Sequence, residues 1–127
     1  GTVRGLHFQR PPKAEAKIVR CNIGSIWDVI VDIREASPTY GKWYGAELNN
    51  NNRTMMYVPK GFAHGFQTLV DNVELLYLHS EFYSAEHEGG LLYNDKTVGI
   101  NWPSPISEIS ERDKTHPMLN DLNPIKL

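Results

Sequence analysis

The sequence lacks the features that mark secreted, membrane-spanning or nucleic-acid-binding proteins. It has one cysteine, Cys21, in 127 residues, so no intrachain disulfide can form and a reducing, cytoplasmic location is expected. No apolar run approaches the ~20 residues of a membrane-spanning helix. Basic and acidic side chains nearly balance, 13 against 15, which argues against nucleic-acid or membrane partners and leaves room only for a local basic pocket, such as one for a phosphate.

Long amphipathic helices and internal repeats are also missing. Short runs rich in β-branched and aromatic residues lie instead between turn signals, which is typical of an antiparallel sandwich or barrel. The predicted runs are 2–9, 17–22, 25–33, 43–48, 54–58, 63–69 and 73–80, with a short extended piece at 91–93. One or two helical turns are expected in 107–118, with Ser110 as the cap. The chain is therefore predicted to be one all-β domain, 1–127, with one core.

The second and third runs are predicted to form a hairpin around 22–24. In 25–33, strict alternation gives one apolar face and one mixed face. The mixed face carries Asp28 and Asp32 beside two isoleucines. A carboxylate there is either buried with hydrogen-bond donors or an ordinary surface acid. Both interpretations stay open for each aspartate.

Histidines are the main candidates for chemistry. Pro59 ends one run and Gly61 permits a turn, after which His64 and Phe66 share a face of the next strand. His64 is thus either a core histidine or part of a pocket. In the first run, Arg4 and His7 can serve one site only if the alternation slips at Gly5.

A metal site is not expected. His7, His64, His79 and Glu74 offer suitable ligand types, but no His-x-His pair occurs, and alternation places Glu74 opposite His79. Two further histidines, at positions 87 and 116, lie in polar loops and are predicted to be surface residues.

Several blocks, in order along the chain, resemble one enzyme family. They are RGLHFQ (4–9), KIVR (17–20), DVIVDIR (28–34), SPTYG (37–41), PKGFAHGF (59–66), GINWP (99–103) and SERD (110–113). Together they resemble the dTDP-4-dehydrorhamnose 3,5-epimerase family over nearly the whole chain. The resemblance implies a cupin-like double-stranded β-helix, or jelly roll, which is homodimeric and needs no metal or organic cofactor. It also implies inversion of carbons 3 and 5 of a dTDP-4-keto-6-deoxy sugar, in dTDP-L-rhamnose or related cell-surface polysaccharide biosynthesis.

The resemblance also implies roles for individual residues. His7 matches the general base, Asp113 the carboxylate that orients it, and Tyr77 the acid that returns a proton from the opposite side of the ring. Asp28 matches a hydrogen-bond partner of one of the histidines. The substrate-binding positions are Arg4 at the diphosphate, Lys17 and His64 around the sugar, Tyr83 on the thymine, and Glu88 and Arg112 at further contacts.

Three departures from the family pattern accompany the match. Arg112 and Leu78 stand where many members have lysine. The family also has a segment ahead of the RGLHFQ block that contributes to the nucleotide site and the dimer. Because the chain starts at Gly1, we expect a truncated boundary, a processed end or a missing upstream segment.

The residue types suit proton abstraction beside a ketone. A histidine of pKa about 6.5 is a base near working pH, and a carboxylate on its other nitrogen fixes the tautomer. Taken singly, each of these residues is more often structural than catalytic, and only their joint occurrence favours a site. Three alternatives stay open: an epimerase of one carbon, a catalytically silent sugar-nucleotide-binding jelly roll, and a structural role in an assembly.

Overall fold

The computed structural model describes all residues, 1–127, and contains two antiparallel sheets. The strands are β1 Val3–Gln9, β2 Lys17–Ile23, β3 Ser25–Asp32, β4 Trp43–Asn49, β5 Met55–Val58, β6 Phe62–Thr68, β7 Glu74–His79 and β8 Glu88–Gly90. The five-stranded sheet has the order β4-β3-β6-β1-β8, and the three-stranded sheet has the order β5-β2-β7. This architecture confirms the predicted all-β, cupin-like jelly roll.

The predicted hairpin of β2 and β3 is wrong, because these consecutive strands lie in different sheets. β2 pairs with β5 and β7, whereas β3 pairs with β4 and β6. Gly24 links them with φ +84, and a Cβ on it would lie 2.3 Å from the Asn72 carbonyl oxygen. The short turn therefore carries the chain across from one sheet to the other.

The two faces predicted for β3 pack into two different cores, which confirms the alternation. Ile26 and Ile30 lie between the sheets with Val19, Met56 and Val58. The opposite face packs against β1 and the C-terminal third of the chain, through Val29, Val31, Ile33, Leu6, Phe8, Leu91, Val98, Leu119, Leu122 and Ile125. The C-terminal segment is thereby fixed on the outer face of the larger sheet.

Two short elements complete the fold. The predicted helical turn is confirmed as α1 Glu111–Lys114, and the Ser110 side chain accepts a hydrogen bond from the Asp113 backbone N–H. A 3-10 turn follows at Leu119–Asp121. β8 was predicted as a polar loop, and 91–93 contains no strand, so both of these predictions are wrong. Neither helix has the length or apolar character to cross a bilayer.

Candidate active site

The first strand brings Arg4 and His7 to one cavity by an irregularity at Gly5. The β1–β6 register shifts between Arg4, which faces Phe66, and His7, which faces His64. The predicted slip in alternation is therefore confirmed. Both side chains line a cavity of about 310 Å³ together with Ser110, Arg112 and Asp113.

The carboxylate of Asp113 is held against His7. Asp113 Oδ1 lies 2.7 Å from His7 Nε2, while Oδ2 accepts a hydrogen bond of 3.1 Å from the Gly5 backbone N–H. The capped α1 fixes the backbone of Asp113, whose side chain is only 6% exposed. If Nε2 carries the proton and donates it to Asp113, Nδ1 is left with the lone pair that a base requires.

The electrostatics favour a neutral imidazole beside an ionised carboxylate. Burial lowers the pKa of His7, and the attraction of Asp113 only partly opposes this effect. For Asp113, burial would raise the pKa, but hydrogen bonds from His7, Gly5 and His116 outweigh it and keep the pKa below its ordinary value. The pair is therefore prepared to accept a proton at His7.

Lys17 is buried at the start of β2, although a lysine at a strand start is ordinarily solvated. Its ammonium lies 3.7 Å from Glu15 Oε1, and the other Glu15 oxygen lies 3.0 Å from His79 Nδ1. Burial lowers the Lys17 pKa, against the opposing effect of Glu15 and Asp28. Lys17 in turn contributes to the lowered His7 pKa, so its charge acts on the candidate base.

Asp28 and His64 form a second buried group between the sheets, and the half-buried Tyr77 packs against it. Asp28 Oδ1 lies 2.7 Å from His64 Nε2, and both side chains are almost completely buried. The ring of Tyr77 meets His64 edge-on, with centroids 6.0 Å apart. Burial strongly raises the pKa of Tyr77, and the charge of Asp28 adds to this effect. Of the two open interpretations of Asp28, the structure supports the buried, hydrogen-bonded one.

Asp32 is also buried and bonded. It accepts hydrogen bonds from Arg34, Ser37 and Thr39. Burial would raise the pKa of its carboxyl group, but these donors outweigh burial and lower the pKa far below the ordinary value. Its partners belong to the loop before β4, so Asp32 stabilises that loop and stands apart from the cavity.

The remaining predicted residues meet at an exposed rim. Tyr83 donates its hydroxyl to Glu88 Oε2 at 2.7 Å, and Arg112 lies 2.6 Å from Glu88 Oε1. Tyr83 is 69% exposed, and its neighbour Phe82 is 85% exposed. Both aromatic side chains line a cavity of about 410 Å³ with Gln9, Glu15, His79, Ser80 and Glu81. The rim thus offers aromatic faces to a planar ligand beside charged groups.

The structure places the predicted residues in three neighbouring groups. Arg4, His7, Arg112 and Asp113 share one cavity. Tyr77 lines neither that cavity nor the one at the rim. Its ring contacts His64, which is the ladder partner of His7. Of the three candidate catalytic residues, His7 and Asp113 are therefore in direct contact, and the phenol of Tyr77 lies on the facing sheet.

Two residues of the site were missed from the sequence. His116, predicted to be a surface residue, has a side chain only 9% exposed and lies 2.9 Å from Asp113 Oδ1, so that prediction is wrong. Glu15 bridges Lys17 and His79 from a segment that looks like a polar connection. The only sequence signal for His116 was its position, three residues after Asp113.

One cluster has the composition of a metal site. Ligand-type atoms of His7, Asp113 and His116 lie within 4.8 Å of one another, a set different from the one considered from the sequence. Both imidazoles contact the same carboxylate oxygen at hydrogen-bond distances, and Gly5 N–H occupies the other oxygen. Protein donors thus account for the contacts of this carboxylate, and the cluster forms a hydrogen-bond network.

Comparison with known proteins gives concordant matches. A curated dTDP-4-dehydrorhamnose 3,5-epimerase of Sinorhizobium fredii is 50% identical over 96% of this chain and 63% of its own length. A Legionella pneumophila dTDP-6-deoxy-D-glucose-3,5-epimerase, solved with dTDP-4-keto-L-rhamnose, matches at a TM-score of 0.94 and 34% identity over 100% of this chain and 69% of its own. A 3'-monoepimerase of Streptomyces bikiniensis, solved with dTDP-quinovose, matches at a TM-score of 0.89 and 35% identity over 94% of this chain and 61% of its own.

These matches extend over both sheets and α1. The chain spans less than two thirds of the length of the curated Sinorhizobium relative. The family model described as dTDP-4-dehydrorhamnose 3,5-epimerase matches residues 1–121, which include the His7–Asp113 pair and the rim. With the jelly roll and 50% identity to a curated member, this match shows that the chain belongs to the dTDP-4-dehydrorhamnose 3,5-epimerase family.

Proposed function

We propose that this chain is the catalytic domain of an isomerase that inverts carbons 3 and 5 of a dTDP-4-keto-6-deoxy sugar. The observation that carries the proposal is the 2.7 Å contact between His7 Nε2 and the buried Asp113. Family membership and the relative solved with dTDP-4-keto-L-rhamnose support the substrate class. The pathway would be synthesis of dTDP-L-rhamnose or a related deoxysugar for cell-surface polysaccharide.

His7 begins each inversion by removing a proton next to the ketone. The neutral imidazole takes the C–H proton, and the electron pair of that bond moves onto the carbonyl oxygen to give an enolate. Asp113 stabilises the imidazolium that forms. A base positioned in this way contributes roughly 10²–10⁴-fold to the rate.

The enolate then needs a cation and an acid on its far face. The ammonium of Lys17, buried on β2, supplies positive charge for the developing oxyanion, worth about 3 kcal/mol at oxyanion-hole geometry. Tyr77 on the facing sheet donates its phenolic proton to the carbanion carbon, which inverts the centre. His64, edge-on to Tyr77 and fixed by Asp28, limits the orientation of the phenol.

The exposed side of the site is suited to the nucleotide. Arg4 and Arg112 line the cavity beside His7 and offer guanidinium groups to the diphosphate. Tyr83 at the rim presents a ring on which thymine can stack, and Glu88 restrains its hydroxyl. In this arrangement the sugar lies inward, toward His7 and Lys17.

Isotope exchange in heavy water tests the function. A dTDP-4-keto-6-deoxy-glucose substrate should gain deuterium at carbons 3 and 5. Tyr77→Phe should retain exchange at carbon 3 or 5 while losing inversion, because His7 still removes the proton. Binding of dTDP by a preparation that gives no exchange at either carbon would contradict the proposal and favour a binding module.

Inversion of one carbon is the second candidate. The fold match to a 3'-monoepimerase at 35% identity favours it, since the same pair of catalytic groups serves one inversion as well as two. The deuterium count separates the candidates: one labelled carbon indicates the single epimerase and two indicate the double epimerase.

We further propose a cytoplasmic homodimer. The outward face of the three-stranded sheet exposes five apolar side chains, each at least 36% exposed: Ile18, Met55, Tyr57, Leu76 and Leu78. Arg20, between Met55 and Leu76 in the ladders, is the charged residue among them. Ile18 pairs with both Tyr57 and Leu78 across the ladders. A patch of this kind is typical of a protein interface. The single free Cys21, which is buried, fits a reducing compartment.

A further inference from the structure

His116 contacts the oxygen of Asp113 that also bonds His7. Its Nε2 lies 2.9 Å from Asp113 Oδ1, and His7 Nε2 lies 2.7 Å from the same atom. The two rings are nearly perpendicular, at 81°, with centroids 5.6 Å apart. Oδ2 accepts a hydrogen bond from Gly5. The carboxylate therefore has three fixed partners, and His116 is the one without an assigned role.

The ring of His116 is also held from outside. Gly90 on β8 faces it so closely that a Cβ there would lie 2.2 Å from His116 Nδ1. Gly90 is the ladder partner of His7. The imidazole is thus confined between β8 and the carboxylate, with a side chain only 9% exposed. Such confinement orients the carboxylate before substrate arrives.

Sharing one oxygen has an electrostatic consequence for His7. A second hydrogen-bond donor on Oδ1 reduces the negative charge that is available to stabilise the His7 imidazolium. The charged groups around His7 act in both directions. Asp113 raises the pKa of His7, whereas His116 and Lys17 lower it. The charge of His7 in turn contributes to the lowered pKa of Glu88 on β8. Arg4 and Arg112 line the adjoining cavity and add positive charge.

We propose that His116 is a positioning residue that fixes Asp113 against His7 and limits the basicity of His7. It sets the lowest pH at which His7 remains free to take the substrate proton. This role rests on the proposed function for its effect on turnover. Its effect on His7 is independent of any substrate, so the two can fail separately.

The test compares His116→Phe, which keeps a ring but removes the donor, with His116→Gln, which keeps a donor. The histidine ring signals are followed by NMR across pH, with His7 identified by the signal lost in His7→Gln. In His116→Phe, the Gly5 N–H still holds Asp113 beside His7 and Oδ1 has one donor fewer, so the His7 pKa should rise. The carboxylate is also less firmly oriented, so kcat should fall roughly tenfold, with little change in KM. His116→Gln should recover most of kcat.

Two further variants complete the test. His87→Phe changes another half-buried loop histidine, bonded to Ser84, and should leave the His7 titration unchanged. If His116→Phe does not fold, Gly90→Ala displaces the same ring and should also raise the His7 pKa. A His7 titration identical to the native one in a folded His116→Phe or Gly90→Ala variant overturns the proposal. If the variants change the His7 pKa as expected but the native chain turns over no keto sugar, only the proposed function is overturned.

Discussion

At the scale of the residue, the site depends on one hydrogen bond between side chains distant in sequence. His7 and Asp113 are separated by 106 positions, and each has an ionisation suited to the other. Burial disfavours the charged form of His7, while donors favour the charged form of Asp113. A neutral base next to a permanent anion is the state required before proton abstraction.

Replacement of Asp113 by asparagine should remove most of the activity. Asp113→Asn keeps the shape but removes the charge that stabilises the His7 imidazolium, so kcat should fall roughly 10²–10⁴-fold. The matched control is Glu111→Gln on the same helix, whose exposed side chain pairs only with Lys114. Steady-state kinetics that show equal losses in the two variants would contradict the role of Asp113.

The pH dependence of kcat/KM should report His7 in the free protein. The base must be neutral, so activity is lost as pH falls through the His7 pKa. Because burial lowers that pKa from its ordinary value of 6.5, the acid limb should have its midpoint below 6.5. In Asp113→Asn the carboxylate no longer raises the pKa, so the limb should move to still lower pH. An acid limb above 6.5 in the native protein would contradict this assignment.

At the scale of the element, α1 is a short helix that positions one carboxylate. It has four residues, too few for helical propensity to stabilise it, and the Ser110 cap fixes its first turn by accepting from Asp113 N–H at 3.1 Å. The position of Asp113 therefore depends on the hydroxyl group of Ser110.

Removal of this cap should lower stability and turnover together. Ser110→Ala should cost about 1 kcal/mol in the free energy of unfolding, measured by urea denaturation, and should lower kcat because Asp113 becomes less well fixed. Ser110→Asp restores a capping oxygen and should recover the stability. Alanine and aspartate variants of equal stability would show that the cap does not hold α1.

Local sequence predicted the elements whose residues carry their own pattern. Strict alternation in β3 predicted its two faces, and Ser110 predicted the start of α1. The predicted β2–β3 hairpin was wrong because a short link containing glycine has the same sequence pattern whether the chain turns back in one sheet or crosses to another; here the link is the single residue Gly24. β8 was missed because Glu88-Gly89-Gly90 has neither alternation nor β-branched residues, and it becomes a strand only by pairing with β1.

The site was predictable only in part for the same reason. His7, Asp113, Tyr77 and the substrate-binding residues came from resemblance to a family, since each is ordinary when considered alone. His116 lies in a polar loop without periodicity, and its burial depends on contact with β8. Tertiary packing of this kind leaves no mark in the local pattern.

At the scale of the whole molecule, each of the two sheets contributes different side chains to the candidate site. The larger sheet carries His7 and His64, the smaller one carries Lys17 and Tyr77, and the C-terminal segment wraps around to add Asp113. In the proposed reaction, the base and the acid that act on opposite faces of the sugar ring thus come from opposite sheets. The outward face of the smaller sheet exposes the apolar side chains of Ile18, Met55, Tyr57, Leu76 and Leu78.

Charge placed on that outward face should break the proposed dimer. Leu78→Glu introduces a carboxylate into the patch beside Ile18, and burying it unpaired would cost several kcal/mol. Light scattering after size exclusion should show a dimer for the native chain and a monomer for the variant. Tyr44→Glu, an exposed aromatic position on β4, is the control and should remain dimeric. A native chain that elutes as a monomer contradicts the proposal.

The most direct test of the account is deuterium uptake from heavy water by the keto-sugar substrate, followed by NMR with the native chain and with His7→Ala. The native chain should introduce deuterium at the carbons on both sides of the ketone. His7→Ala should introduce none at either carbon while still binding dTDP. Exchange at the native rate in a folded His7→Ala variant would contradict the assignment of His7 as the base.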